Sequence, residues 1–344
     1  MHLRALPFLL LPCLSALAAE PAWQAQASGV TVELRGLSVV SASVAWASGA
    51  QGTVLRTVDG VHWAAVNVPD AGAIDLRDIH ALDANTAIAM GAGPGTASRI
   101  YRTSDGGASW TLVTTNAVAA GFWDAMAFWD ARRGLLFGDP VDGAFQVYST
   151  EDGGLTWQAR AASGLDALAG EGAFAASGSC LAVAGSQDAW IVSGSAAQAR
   201  AFHSRDGGTS WQAAPLPIPA GAPSRGAFSV AFLNSRTGVA AGGDFRSPQL
   251  APQNGARSTD GGVTWQAAAI LPSGFMSVLA TVPGAPTAIV AAGLAGSGYS
   301  LDAGLTWREL DSVPLNTVGF ASATAGWAVG PKGLLMAYRG PPLR

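Results

Sequence analysis

The chain has 344 residues, 49% of them hydrophobic and 12% charged, with a formal net charge of −4. That length can bury a large core in one domain or two. The weak acidity excludes the basic face with which a nucleic-acid binder neutralises phosphates, so no nucleic-acid partner is expected.

The N-terminus reads MHLRALPFLLLPCLSALAAE. Arg4 gives a short positive start, an apolar run follows, and Ala16-Leu17-Ala18 offers an A-x-A cleavage site. Residues 1–18 therefore read as a secretory signal peptide, too short for a stable membrane span. The mature chain, 19–344, is expected in the periplasm or outside the cell. Cys13 lies inside the leader, and Pro12 stands where lipid attachment requires a small residue. No later segment approaches the roughly 20 apolar residues of a membrane helix. Cleavage leaves one thiol, Cys180, which reads as a small buried apolar side chain. Lys332 is the sole lysine, which together with the Ala and Gly content suggests a GC-rich bacterial genome.

Two short apolar strands open each unit that follows, as in LRGLSVVSASVAWASG (34–49), RDIHALDANTAIAMG (77–91) and NTVGFASATAGWAVG (316–330). A third strand such as RIYRT (99–103) comes next, then a turn, then a fourth strand such as TLVTT (111–115). The turns are copies of one pattern, [ST]-x-D-x-G-x-x-W. They are TSDGGASW (103–110), TEDGGLTW (150–157), SRDGGTSW (204–211), STDGGVTW (258–265) and SLDAGLTW (300–307), with a shortened TVDGVHW at 57–63. Their tryptophans, Trp63, Trp110, Trp157, Trp211, Trp265 and Trp307, are 47, 47, 54, 54 and 42 residues apart. Four strands at such a period describe propeller blades.

Six turns make six blades. Residues 315–340 supply three more strands but no turn and no fourth strand. Trp23-Gln24-Ala25 matches the text after the turns at 157–159, 211–213 and 265–267, so residues 21–28 are expected to complete a seventh blade. The expected fold is all-β: a single seven-bladed propeller of four-stranded blades, monomeric, closed by its N-terminal strand. Joining the first and last strands removes two sheet edges open to aggregation.

Asp59, Asp105, Asp152, Asp206, Asp260 and Asp302 are then turn residues, whose carboxylates accept backbone N–H groups. The paired tryptophans pack the outer strands. A group repeated in six blades serves structure rather than catalysis.

These turns resemble the Asp-box, or bacterial neuraminidase repeat, superfamily. GWAVG (326–330) and the RT-x-DGG-x-x-W turn (102–110) look most like the photosystem II stability and assembly factor family and its non-photosynthetic bacterial relatives. The resemblance covers essentially the whole mature chain. It implies a propeller that binds a protein or peptide; no motif in the sequence calls for a cofactor or a metal. Photosynthetic members use a basic patch on the ring. Arg35 and Arg77 could begin such a patch, but Asp124 occupies the matching position in the third blade. FWDAMAF (122–128) with FGDPVDG (137–143) resembles a subset of the bacterial relatives.

In such a blade, the loop into the first strand and the loop out of the second share the face opposite the turns. Trp123, Asp124, Asp139, Asp142, Glu171, Arg225, Asp244 and Arg246 are expected there, across blades 3 to 5, as ligand-binding candidates. Asp139 and Asp142 also fit simple turn formers, in Asp-Pro and Asp-Gly, and Arg225 and Arg246 can neutralise the carboxylates. A second class of function, a glycan hydrolase, would draw its acid and base from Asp124, Glu171 and Asp139. A sialidase is disfavoured. Tyr101, Tyr148, Tyr299 and Tyr338 fall on third strands away from the channel, and no Arg-Ile-Pro precedes the first blade. His62, His80 and His203 are scattered and lack metal-ligand spacing.

Overall fold

A strand covered on both faces has no need to alternate, and the second strand of each unit is such a strand. Ala45–Gly49 (AWASG) and Ala87–Gly91 (AIAMG) are buried at every position. A computed structural model describes residues 20–250, 253–268 and 274–344. The expected signal peptide, 1–18, lies outside the described residues.

The strands form seven four-stranded antiparallel sheets. We number the blades by their inner strands in chain order: Leu34–Val39, Leu76–Ala81, Trp123–Phe128, Leu181–Ala184, Arg225–Phe232, Val278–Val282 and Thr317–Ser322. Each inner strand touches the next, and that of blade 7 touches that of blade 1, so the ring is closed. The fold is the expected seven-bladed propeller.

Closure occurs where the sequence placed it. Ala22–Ala25 pairs with Leu335–Arg339, with Trp23 opposite Tyr338. Trp23 also donates from Nε1 to Ser297 Oγ in blade 6, at 3.0 Å. The core lies between blades, where Trp46, Trp123 and Trp190 are fully buried.

The repeated turn is a hydrogen-bonded unit. Thr103 Oγ1 donates to Asp105 Oδ1 at 2.8 Å and accepts from the Gly107 N–H at 3.1 Å. Asp105 Oδ1 accepts the Ser109 N–H at 2.9 Å, and Oδ2 accepts the Ser109 hydroxyl at 2.5 Å. Asp152, Asp206, Asp260 and Asp302 repeat this pattern. In the shortened copy, His62 Nδ1 takes the hydroxyl's place, 2.7 Å from Asp59 Oδ2. The residue before each tryptophan is thus part of the turn, a role the sequence pattern left unread. Trp110, Trp211 and Trp265 are buried, whereas Trp63, Trp157 and Trp307 are half-buried.

Blade 4 departs from the others. Its regular inner strand begins only at Leu181, not directly after Glu171. Residues before it are held by isolated bridges, Gly172 to Gly194 and Gly194 to Gly226. A Cβ on Gly194 would lie 2.6 Å from Gly226 Cα, so this blade 4–5 contact requires glycine.

Candidate functional site

Pairing between the first and second strands skips one residue near the start of the inner strand in blades 1, 2, 3 and 5. The skipped residues are Arg35, Arg77, Asp124 and Phe228. A bulge of this kind re-aims a side chain. All four line one cavity of about 510 Å³ at the mouth of the channel, on the face opposite the repeated turns. Ser277 and Asn316, at the starts of the inner strands of blades 6 and 7, continue the ring. The matching of Asp124 to Arg35 and Arg77 is therefore a real geometric equivalence.

One half of the mouth is charged. Arg35 pairs with Glu33 at 2.8 Å, and Arg77 Nε with Asp75 Oδ2 at 2.7 Å. Burial lowers the Arg35 guanidinium from its usual range, and Glu33 opposes that. Asp124 is 1% exposed, and its Oδ2 has no hydrogen-bond partner. Burial, then the charge of Asp139, pushes its carboxyl well above the usual range; Arg77 and the backbone N–H groups of Asp139 and Ala175 act against this. Asp139 accepts the Ala173 N–H at 2.8 Å and is also raised by burial.

The other half is aromatic. Phe174 stacks on Phe228 with ring centroids 3.7 Å apart, and Phe275 and Phe245 meet Phe228 edge-on at 4.7 and 6.1 Å. Phe228 and Phe275 are buried, while Phe245 is 43% exposed at the lip. Phe122 lines the cavity beside Asp124. No motif pointed to these phenylalanines. Their signal was a small residue or aspartate followed by Phe at each loop, in GAF (172–174), GAF (226–228), GDF (243–245) and GF (274–275).

Of the eight ligand-binding candidates, Asp124 and Asp139 line this cavity and the other six do not. Trp123 is buried between blades, edge-on to Tyr148 at 5.4 Å, because strand alternation turns it away from the bulged Asp124. Asp142 is exposed at φ 53° in the tight turn between Val141 and Ala144, the turn-former role. The Glu171 side chain is fully buried away from the channel. It is gripped by the Arg200 guanidinium, accepts Ser193 Oγ at 2.6 Å and accepts the Leu168 N–H at 2.7 Å. Arg225 and Asp244 pair with each other at 3.1 Å and line a separate pocket with Leu250 and Gln253. Arg246 is exposed, and its backbone N–H donates to Asp244. The four tyrosines do lie on third strands, as expected.

The fold and site define a class: a closed seven-bladed propeller with a half-charged, half-aromatic cavity at its axial mouth. Solved structures of the same fold include YCF48 bound to D1 peptide, at a TM-score of 0.66 and 19% identity, covering 96% of this chain and 100% of that one. YCF48 from Cyanidioschyzon merolae follows at a TM-score of 0.65 and 15% identity, covering 92% and 99%. An ancestral GH74 enzyme matches at 0.63 and 14% identity, covering 93% of this chain but 47% of the enzyme. No family model matches the chain, and no curated protein matches it by sequence.

Proposed function

We propose that this protein is an exported binding propeller that holds a protein or peptide segment in the mouth cavity. The observation that carries this reading is the pairing of an aromatic wall with fixed charged groups in one cavity of about 510 Å³. Apolar walls with a few placed polar groups are the usual composition of a binding pocket. The similarity to YCF48, seen with a bound peptide, runs over 96% of this chain and 100% of that one. Export rests on residues 1–18, and N-terminal sequencing of the protein from cell fractions tests it.

Selection of displayed random peptides against the wild type and Phe245→Ala tests the binding. Phe245 is exposed, so its loss spares the fold. Peptides that bind the wild type and not the variant are expected. Equal recovery by both defeats the site.

A second reading is a glycan hydrolase. Two carboxyls, Asp124 and Asp139, share the cavity, and burial raises that of Asp124 well above its usual range, the direction a general acid requires. Glu171 is withdrawn from this scheme by Arg200. Release of reducing sugar from a panel of polysaccharides, abolished by Asp124→Asn, is the result that would favour it.

A further inference from the structure

We infer that the Asp124–Asp139 corner of the mouth cavity takes the ammonium or guanidinium group of a basic side chain on the bound peptide, with that side chain's carbon stem against the phenylalanine wall. This rests on the peptide-binding reading above.

The corner is short of positive charge. Arg35 and Arg77 are each paired with a neighbouring carboxylate, Glu33 and Asp75. Among the described residues, neither Asp124 nor Asp139 forms a salt bridge. Asp124 Oδ2 is buried without a partner. A buried acceptor left unpaired is costly, and a ligand that supplies a donor recovers that cost.

The wall is next to the acids because one segment carries both. Ala173 donates its N–H to Asp139, the backbone N–H of Ala175 faces Asp124, and Phe174 stands between them. Phe174 in turn stacks on Phe228. Carboxyls beside aromatic rings suit a cation on an apolar stem. An anionic group would meet two acids instead.

Other charged groups near this corner set its pH dependence. Arg77 lies close to Asp124, Arg35 and Glu33 line the cavity, and Cys180 and Asp78 lie deeper. The two arginines remain charged across the working range. Binding of a cation should therefore strengthen as pH rises and the two acids ionise.

The wild-type protein is titrated at low salt with benzylammonium, benzyl alcohol and benzoate, followed by NMR. Benzylammonium is expected to bind about tenfold more tightly than benzyl alcohol, with benzoate weakest. The advantage is expected to shrink on acidification, and to begin shrinking above the ordinary carboxylate range because burial raises both acids. Asp124→Asn is expected to remove it, and the wild-type pH series carries the test should that variant fold poorly. Next, acetyl-Ala-Lys-Ala-amide is compared with a free-amine tripeptide bearing norleucine. Tighter binding of the lysine peptide is expected. The inference is overturned if benzyl alcohol or benzoate matches benzylammonium, if no probe binds, or if the free-amine peptide wins. None of these results removes peptide binding itself, which the Phe245→Ala selection tests separately.

Discussion

Phe174 lies flat on Phe228, ring centroids 3.7 Å apart and planes 11° from parallel. The contact joins the irregular lead-in of blade 4 to the bulged inner strand of blade 5, and it builds the wall of the mouth cavity. Phe228 is 2% exposed. Phe228→Ala should therefore cost about 3–5 kcal/mol of stability as well as ligand affinity. Phe245→Ala should cost only about 0.5 kcal/mol or less. Urea unfolding midpoints of the two variants check this difference.

Glu171 and Arg200 form a buried pair, so breaking it exposes its structural role. Arg200→Ala should destabilise the protein by about 3–5 kcal/mol, because it leaves Glu171 charged and buried. Ligand affinity of the folded variant should be unchanged within about twofold. A large affinity loss without destabilisation would return Glu171 to the site.

Trp211 is 4% exposed and donates from Nε1 to the Gly208 carbonyl at 3.1 Å. Trp211→Ala should cost about 3–5 kcal/mol. Trp157, half-buried against Phe128, should cost less. Chemical denaturation of both variants tests whether burial, rather than membership of the repeat, sets the cost.

Asp78 is buried at the waist of the channel, and burial raises its carboxyl to about 7; the N–H groups of Met126 and Ile79 oppose this. Unfolding returns it to the ordinary range near 4. Between these values the folded protein holds a proton that the unfolded chain releases. Stability from this group is therefore present at acid pH and falls as pH rises toward about 7. Asp105 has the opposite sign. The hydroxyl and N–H of Ser109 lower it to about 2, so its contribution is lost on acidification below the ordinary range. Asp78→Asn should flatten the loss of thermal stability between about pH 4 and 7. An unchanged slope would contradict this assignment.

Much of the fold was legible because it repeats. Thr103, Asp105, Gly107 and Trp110 recur at fixed spacing, and the first three make their bonds within their own turn. Trp23 could be assigned to the closing strand for the same reason: it repeats the text that follows the turns. Local chemistry of this kind is carried by neighbours in the chain. The matching of Arg35, Arg77 and Asp124 was also visible, since it follows from register.

What each side chain faces was decided only by the tertiary structure. Trp123 and Asp124 are adjacent in the sequence, yet a bulge sends one into the core and the other to the cavity. Glu171 reads like Asp124 in sequence, each standing just before an inner strand. An arginine 29 residues later in the chain withdraws it from the channel. The aromatic wall draws on blades 4, 5 and 6, through Phe174, Phe228, Phe245 and Phe275. The sequence by itself determined the turns, the number of blades and the closing strand, because those interactions are local or repeated. Ring closure alone decided which residues meet at the mouth, because residues far apart in the chain become neighbours only when seven blades share one axis.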